Sequence, residues 1–230
     1  MPYIISIEGT DCSGKGTQSQ ILVNRINQGG KATLVSFPDY DSPTGKIIGG
    51  AYLGKEHIGK PLFKEGASAV DAKVASLLFA ADRKYNLSKI TEPLSEGYSV
   101  ILNRYVESNM GHQASKCADE KQRDEMLDFL EKLEYDLLKL PKPDLTIFLY
   151  MPFYASTILK KGREEKPDQH ELDEEYLKRS EETYLYLCEK YGYERIDCIE
   201  NDRILSKEEI AEKVWKLVTE KFPDIVWIRT

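Results

Sequence analysis

Long apolar runs are missing from this 230-residue chain. Its apolar stretches last only a few residues, far short of the ~20 that a helix needs to cross a bilayer, so no membrane partner is expected. Cysteine is sparse too. Cys12, Cys117, Cys188 and Cys198 are scattered with neither CxxC nor metal-ligand spacing. That excludes a disulfide framework and a zinc site, and fits a reducing, cytoplasmic setting. No basic leader or cleavage pattern precedes the first apolar run, so nothing points to export. Low-complexity tracts, internal repeats and obvious linkers are likewise missing, and residues 1–230 read as one domain. Positive charge is in deficit: Lys and Arg number 32 against 39 Asp and Glu, for a net charge of −7. Nucleic acid, which needs a basic face, is therefore not an expected partner. A small phosphorylated ligand stays compatible, because backbone amides and a few cations can hold phosphate locally.

What is present is an alternation of strand-like and helix-like segments. Residues 3–7, 33–37, 99–102, 145–150 and, more weakly, 194–199 are short and rich in Ile, Val and Leu, apolar on consecutive positions. Strands covered on both faces read this way, as in a parallel sheet. Between them, Met126, Leu130, Leu133 and Leu137 fall on one helical face, and Leu172, Tyr176, Tyr184, Leu187 and Tyr191 form a longer stripe. Ser206 and Glu209 make a capping box ahead of Ile210, Val214 and Val218. The fold class is α/β, a five-stranded parallel sheet with helices on both faces. A ligand then belongs beyond the carboxyl ends of the strands.

Directly after the first strand comes Gly9-Thr10-Asp11-Cys12-Ser13-Gly14-Lys15-Gly16-Thr17. Glycines let the backbone curl so that successive N–H groups face one concavity, the next helix aims its positive end there, and a lysine reaches the β- and γ-phosphates. This is a P-loop for ATP. Gly9, Ser13, Gly14, Lys15, Gly16 and Thr17 are its phosphate-binding residues. The hydroxyl that would reach Mg²⁺ arrives at Thr17, one residue later than in the strict pattern, since Gly16 follows the lysine.

Several further motifs occur in order: Phe37-Pro38, Leu77-Leu78-Phe79-Ala80-Ala81-Asp82-Arg83, Asn103-Arg104-Tyr105, Ser108-Asn109 with His112 and Gln113, and Lys142-Pro143-Asp144-Leu145. With the P-loop they make the chain similar to the thymidylate kinases, within the nucleoside monophosphate kinases, over roughly residues 3–195. The resemblance implies the P-loop kinase fold with a short lid at about 157–172. It implies a homodimer that transfers the terminal phosphoryl group of ATP, with Mg²⁺, to dTMP. It also implies a dTMP site built from Asp11, Phe37, Pro38, Phe79, Arg83, Arg104, Ser108, Asn109, His112 and Gln113. The chemistry agrees: Phe79 and Arg83, i and i+4 on one helix face, can stack on a pyrimidine and donate to its carbonyl. Arg104 can hold a monophosphate with its fork.

The catalytic set expected is Lys15, Asp11, Arg104 and a lid cation. Some thymidylate kinases carry an arginine in the P-loop beside the aspartate; here that loop reads Asp11-Cys12-Ser13, so the lid must supply the charge. Lys160, Lys161, Arg163 and Lys166 are its candidates, Arg163 first because a planar fork suits phosphate. Asp168, His170 and Glu171 read as the start of the next helix. Mg²⁺ is expected near Thr17, Asp11 and Asn103. Asn103 stands where the family has aspartate and so loses a charge. Asp39 sits near where many relatives carry arginine, and His112 where tyrosine is commoner. These departures leave two other readings open: a kinase for another nucleotide or nucleoside, and a nucleotide-binding protein of low turnover.

Overall fold

The computed structural model describes residues 1–160 and 170–226. Its central sheet is formed by β1 (Ile4–Gly9), β2 (Ala32–Ser36), β3 (Ser99–Asn103), β4 (Leu145–Tyr150) and β5 (Glu194–Asp197), all parallel, in the order β2-β3-β1-β4-β5. The register sets Ile5 beside Ile101 on one side and Leu145 on the other. The expected fifth strand is shorter than residues 194–199. It stops at Asp197, and the chain turns at Cys198 into a separate antiparallel ribbon, β6 (Ile199–Glu200) and β7 (Arg203–Ile204).

Alternation along β1 explains its unbroken apolar run. Ile5 and Ile7 enter a core with α1 (Lys15–Ile26) and α9 (Lys207–Lys221), where Leu22, Ile26, Val214 and Val218 meet them. Ile4 lies in the opposite core, with Val100, Leu102 and Phe148 of the sheet. There it meets α5 (Val106–Ala114), α6 (Glu120–Glu131) and α8 (Glu174–Tyr191). Each fully buried isoleucine in these layers contributes about 1.5–3 kcal/mol. The α9 capping box forms as expected, Ser206 and Glu209 each accepting the other's backbone N–H, and Ile210, Val214 and Val218 are buried.

The remaining helices frame the sheet's carboxyl edge: α2 (Pro43–Lys46), α3 (Ala72–Tyr85), α4 (Ser88–Ser95) and α7 (Phe153–Lys160). A third apolar cluster, with Ile48, Tyr52, Val70 and Ala75, packs beside them against Phe79.

Two helical stripes differ from their 3.6-residue expectation. Past Glu131 the helix widens into a π-turn at Lys132–Leu137. A wider turn shifts the phase of the side chains. Leu137 is consequently 66% exposed, while Glu134 is fully buried. In the other stripe Tyr176, Tyr184 and Leu187 are buried, but Leu172 is exposed ahead of the helix. That helix begins at Glu174, capped by Asp173, whose carboxylate accepts from the Tyr176 N–H at 3.0 Å. His170 and Glu171 thus precede it and do not start it. Of the expected lid at 157–172, Lys161, Arg163, Lys166 and Asp168 lie outside the described residues.

Candidate active site

The P-loop leaves the central strand where neighbouring strands run off to opposite sides, the crevice in which open α/β sheets place ligands. Gly14, at φ +81°, turns the chain into α1. Gly9 lies so close to β4 that an added Cβ would stand 2.5 Å from the Leu149 carbonyl oxygen. Thr10 ties the loop to the segment after β4, donating to the Met151 carbonyl and accepting from its N–H. The Lys15 ammonium is nearly buried and donates to the Thr10 carbonyl at 2.8 Å. Burial and the charge of Arg104 push its pKa down to about 7, against the pull of Asp11 and Glu8. Ser13 Oγ is buried without a partner among the described residues, while Gly14, Gly16 and Thr17 are exposed at the head of α1.

A cavity of about 260 Å³ opens from Asp11 and Lys15. Phe37 and Pro38 line it after β2, Phe79 and Arg83 from α3, and Arg104 after β3. Ser108, Asn109, His112 and Gln113 line it from α5. Every residue expected for the dTMP site therefore borders one cavity. Asn103 does not line it; its amide nitrogen donates to Ser36 and lies 3.6 Å from where a Cβ on Gly16 would be.

Charges at the P-loop end are tightly arranged. Arg104 sits in the left-handed region at φ 65°, a conformation uncommon for a non-glycine residue and concentrated at functional sites. Its guanidinium donates to Ser108 Oγ at 3.3 Å and to His112 Nε2 at 3.4 Å, and lies 4.0 Å from Asp11. Asp11 also receives Lys160 at 2.8 Å. Burial works to raise the Asp11 pKa, but Lys15 and Lys160 more than offset it, and the carboxyl stands well below its usual range. Glu8, fully buried, accepts from the Tyr105 N–H at the start of α5 and from Ser108 Oγ. Burial nevertheless raises its pKa, despite Arg104 and these hydrogen bonds. Asp39 is paired with Lys89.

At the far end Arg83 is 2% exposed and forms a bidentate ion pair with Glu134. Phe79 meets Tyr52 edge-on at 5.6 Å. Buried Asn109 Oδ1 and both amide atoms of buried Gln113 have no hydrogen-bond partner among the described residues. Buried polar atoms are rarely left so without reason, and these border the cavity.

Two contributors were not expected. Glu134 falls on the buried face, four residues after Leu130 and seven after Leu127, where its charge hides it from an apolar pattern. His170 is buried beside the cavity, stacked on His112 with ring centroids 5.6 Å apart. The Tyr52 hydroxyl meets its Nε2 at 3.1 Å. Burial is the main cause that lowers the His170 pKa to about 3, and Lys116 adds to it. No local signal marks His170; only its tertiary neighbours do.

The cradle at the switch point of this sheet is that of a P-loop kinase. A family model described as thymidylate kinase matches residues 7–213. The thymidylate kinase of Schizosaccharomyces pombe is 34% identical over 218 residues, covering 94% of this chain and 91% of that protein. That of Rhodopseudomonas palustris is 29% identical, covering 93% of this chain and 87% of that protein. A solved thymidylate kinase structure from Candida albicans superposes with a TM-score of 0.71 at 23% identity, covering 95% of this chain and 92% of that one, and supports the fold. The chain belongs to the thymidylate kinase family.

Proposed function

We propose that the chain phosphorylates dTMP to dTDP with ATP. The bond between the γ-phosphorus and the ADP oxygen breaks as a 5′-phosphate oxygen of dTMP bonds to that phosphorus, in line, without a covalent enzyme intermediate. The observation that carries this is the single cavity with P-loop Lys15 and Arg104 at one end and Phe79, Arg83, Asn109 and Gln113 at the other. The P-loop amides and Lys15 hold the ATP phosphates. Arg104 holds the acceptor phosphate, with Asp11 fixing the cations around the transferred group. Phe79 stacks on the base, and Arg83 and Asn109 contact its polar edge.

The donor set also suits Mg²⁺ carried by ATP. Among the described residues no three acidic, His or Cys side chains cluster to hold a metal alone. A Mg²⁺ bound to substrate phosphates needs only one or two protein oxygens. The exposed Thr17 hydroxyl, Asn103 and Asp11 are the oxygens that would supply them, and the ion would neutralise phosphate charge. No helix among the described residues is long and apolar enough to cross a membrane, and Cys117, Cys188 and Cys198 form no disulfide among the described residues. A single-domain enzyme in the reducing cytoplasm accords with both. A second copy is the proposed partner, meeting exposed Val74, Leu77 and Tyr85 along α3; sedimentation reads the dimer directly.

Coupled ADP release with ATP and Mg²⁺ tests the activity, offering dTMP, dUMP, dGMP, UMP, CMP, AMP and thymidine separately. Preference for dTMP is expected. Turnover of another acceptor moves the base assignment, and ATP binding without turnover replaces kinase by binding protein.

A further inference from the structure

Glu134 has no part in the mechanism above, yet it touches two of the side chains assigned to the base. Its Oε2 accepts from Arg83 Nε at 2.6 Å, and its Oε1 accepts from Arg83 Nη2 at 2.5 Å. The same Oε1 accepts from Asn109 Nδ2 at 2.8 Å. The carboxyl group is fully buried, within the π-turn after α6. Burying a charge costs several kcal/mol unless it is paired, and apolar residues often serve stability as well. Packing alone is thus a weak reason for Glu134.

Donor and acceptor chemistry supplies a better one. A carboxylate only accepts, so Asn109 must turn its amide nitrogen toward Glu134; the Ser76 carbonyl takes a second hydrogen bond from that nitrogen at 3.2 Å. The Asn109 oxygen is then committed as an acceptor, and it is a buried atom without a partner among the described residues. Arg83 is committed in the same way. Glu134 takes its Nε–H and one Nη2–H, and the Tyr105 carbonyl takes one from Nη1 at 3.2 Å. Of five guanidinium donors, one on each Nη remains among the described residues. The wall thereby presents an acceptor beside donors. That suits a ring whose N–H lies next to a carbonyl, as in thymine, and opposes one with a bare ring nitrogen next to an amino group, as in cytosine.

We propose that Glu134 is a positioning residue that fixes the hydrogen-bond polarity of the acceptor-base wall, through Arg83 and Asn109, and so selects dTMP over dCMP; this rests on the dTMP reading of the cavity. Glutamine at 134 can donate as well as accept. It loosens one of the two acceptors that hold the Asn109 nitrogen, leaving the Ser76 carbonyl, and removes the counter-charge from Arg83.

The test compares kcat/KM for dTMP and dCMP in the wild type, Glu134→Gln and Glu134→Asp. Glu134→Gln is expected to reduce the dTMP:dCMP ratio by roughly tenfold or more, equivalent to about 1.4 kcal/mol. The loss should sit in the acceptor KM, with the ATP KM unchanged. Glu134→Asp keeps the charge but is one methylene shorter, so it should recover part of the ratio. If Glu134→Gln does not fold, Glu134→Asp decides alone by a smaller fall in the same ratio. Equal losses for dTMP and dCMP, an unchanged ratio, or a matching rise in the ATP KM overturns the proposal. A wild type that ignores dTMP overturns the dTMP reading and this inference together; an active wild type with an insensitive Glu134→Gln ratio overturns this inference only.

Discussion

Lys160, the last residue of α7, sets its ammonium 2.8 Å from the carboxylate of Asp11 in the P-loop, 149 residues earlier in the chain. Both side chains are largely shielded, and Arg104 approaches the same carboxylate from the other side at 4.0 Å. The P-loop itself places Cys12, not a cation, after Asp11. A positive charge from beyond β4 has therefore come to the spot that the loop leaves neutral.

Lys160→Ala should lower kcat by roughly 10²–10³-fold, as removing one positioned charge-stabilising donor does. Both KM values should change little, and Lys160→Arg should retain much of the rate. Steady-state kinetics beside Arg163→Ala decides between these two of the four candidate lid cations. A Lys160→Ala enzyme with normal kcat assigns the role to another residue.

Lys15 carries a pKa near 7, lowered chiefly by burial. Its charged form, present below that value, is the one that binds phosphate. ATP adds negative charge and should restore the proton, so ATP binding at pH 8 should take up a proton. Calorimetry in two buffers of different ionisation enthalpy measures it. Binding with no proton uptake would contradict a neutral Lys15 in the free protein. Affinity for ATP should also fall as pH rises through 7.

His170, with its folded pKa near 3, stays neutral in the fold while the unfolded chain binds a proton below about 6.5. Its contribution is therefore complete above pH 6.5 and is lost as pH falls. Glu107 works in the opposite direction: burial raises its pKa to about 7, which favours the folded state at lower pH. Comparison with His170→Asn cancels Glu107. The stability cost of that substitution should shrink by about 1 kcal/mol between pH 7 and pH 5.5. Denaturant titrations at the two pH values read it, and a constant cost would rule out a neutral buried His170.

Asn103→Asp should lower the Mg²⁺ concentration for half-maximal turnover. A carboxylate binds a hard cation better than an amide, and the side chain borders Gly16 at the head of α1. Aspartate can also keep the contact with Ser36 by accepting from its hydroxyl. A Mg²⁺ titration of both proteins checks this; identical half-saturation would place the metal elsewhere.

The amino-acid sequence by itself determined whatever depends on near neighbours. Residues 9–17 form a P-loop because glycines and a following helix need no distant partner to curl the backbone. The parallel sheet was legible because strands buried on both faces must be apolar throughout. Ser206 and Glu209 cap α9 within a single turn. The wall of the cavity was legible through family motifs: Phe79 and Arg83 share one helix face, and α5 brings Ser108, Asn109, His112 and Gln113 to the same side. Tertiary structure alone decided the electrostatic partners. Arg83 meets Glu134 across 51 residues, and the π-turn that carries Glu134 sends Leu137 outward. His170 has no sequence signature, and its burial against His112 and Tyr52 follows from how the start of α8 packs over α5. Hydrogen-bond periodicity acts over one turn and leaves its mark in the sequence; a charge or an imidazole finds its partner only once whole elements have packed.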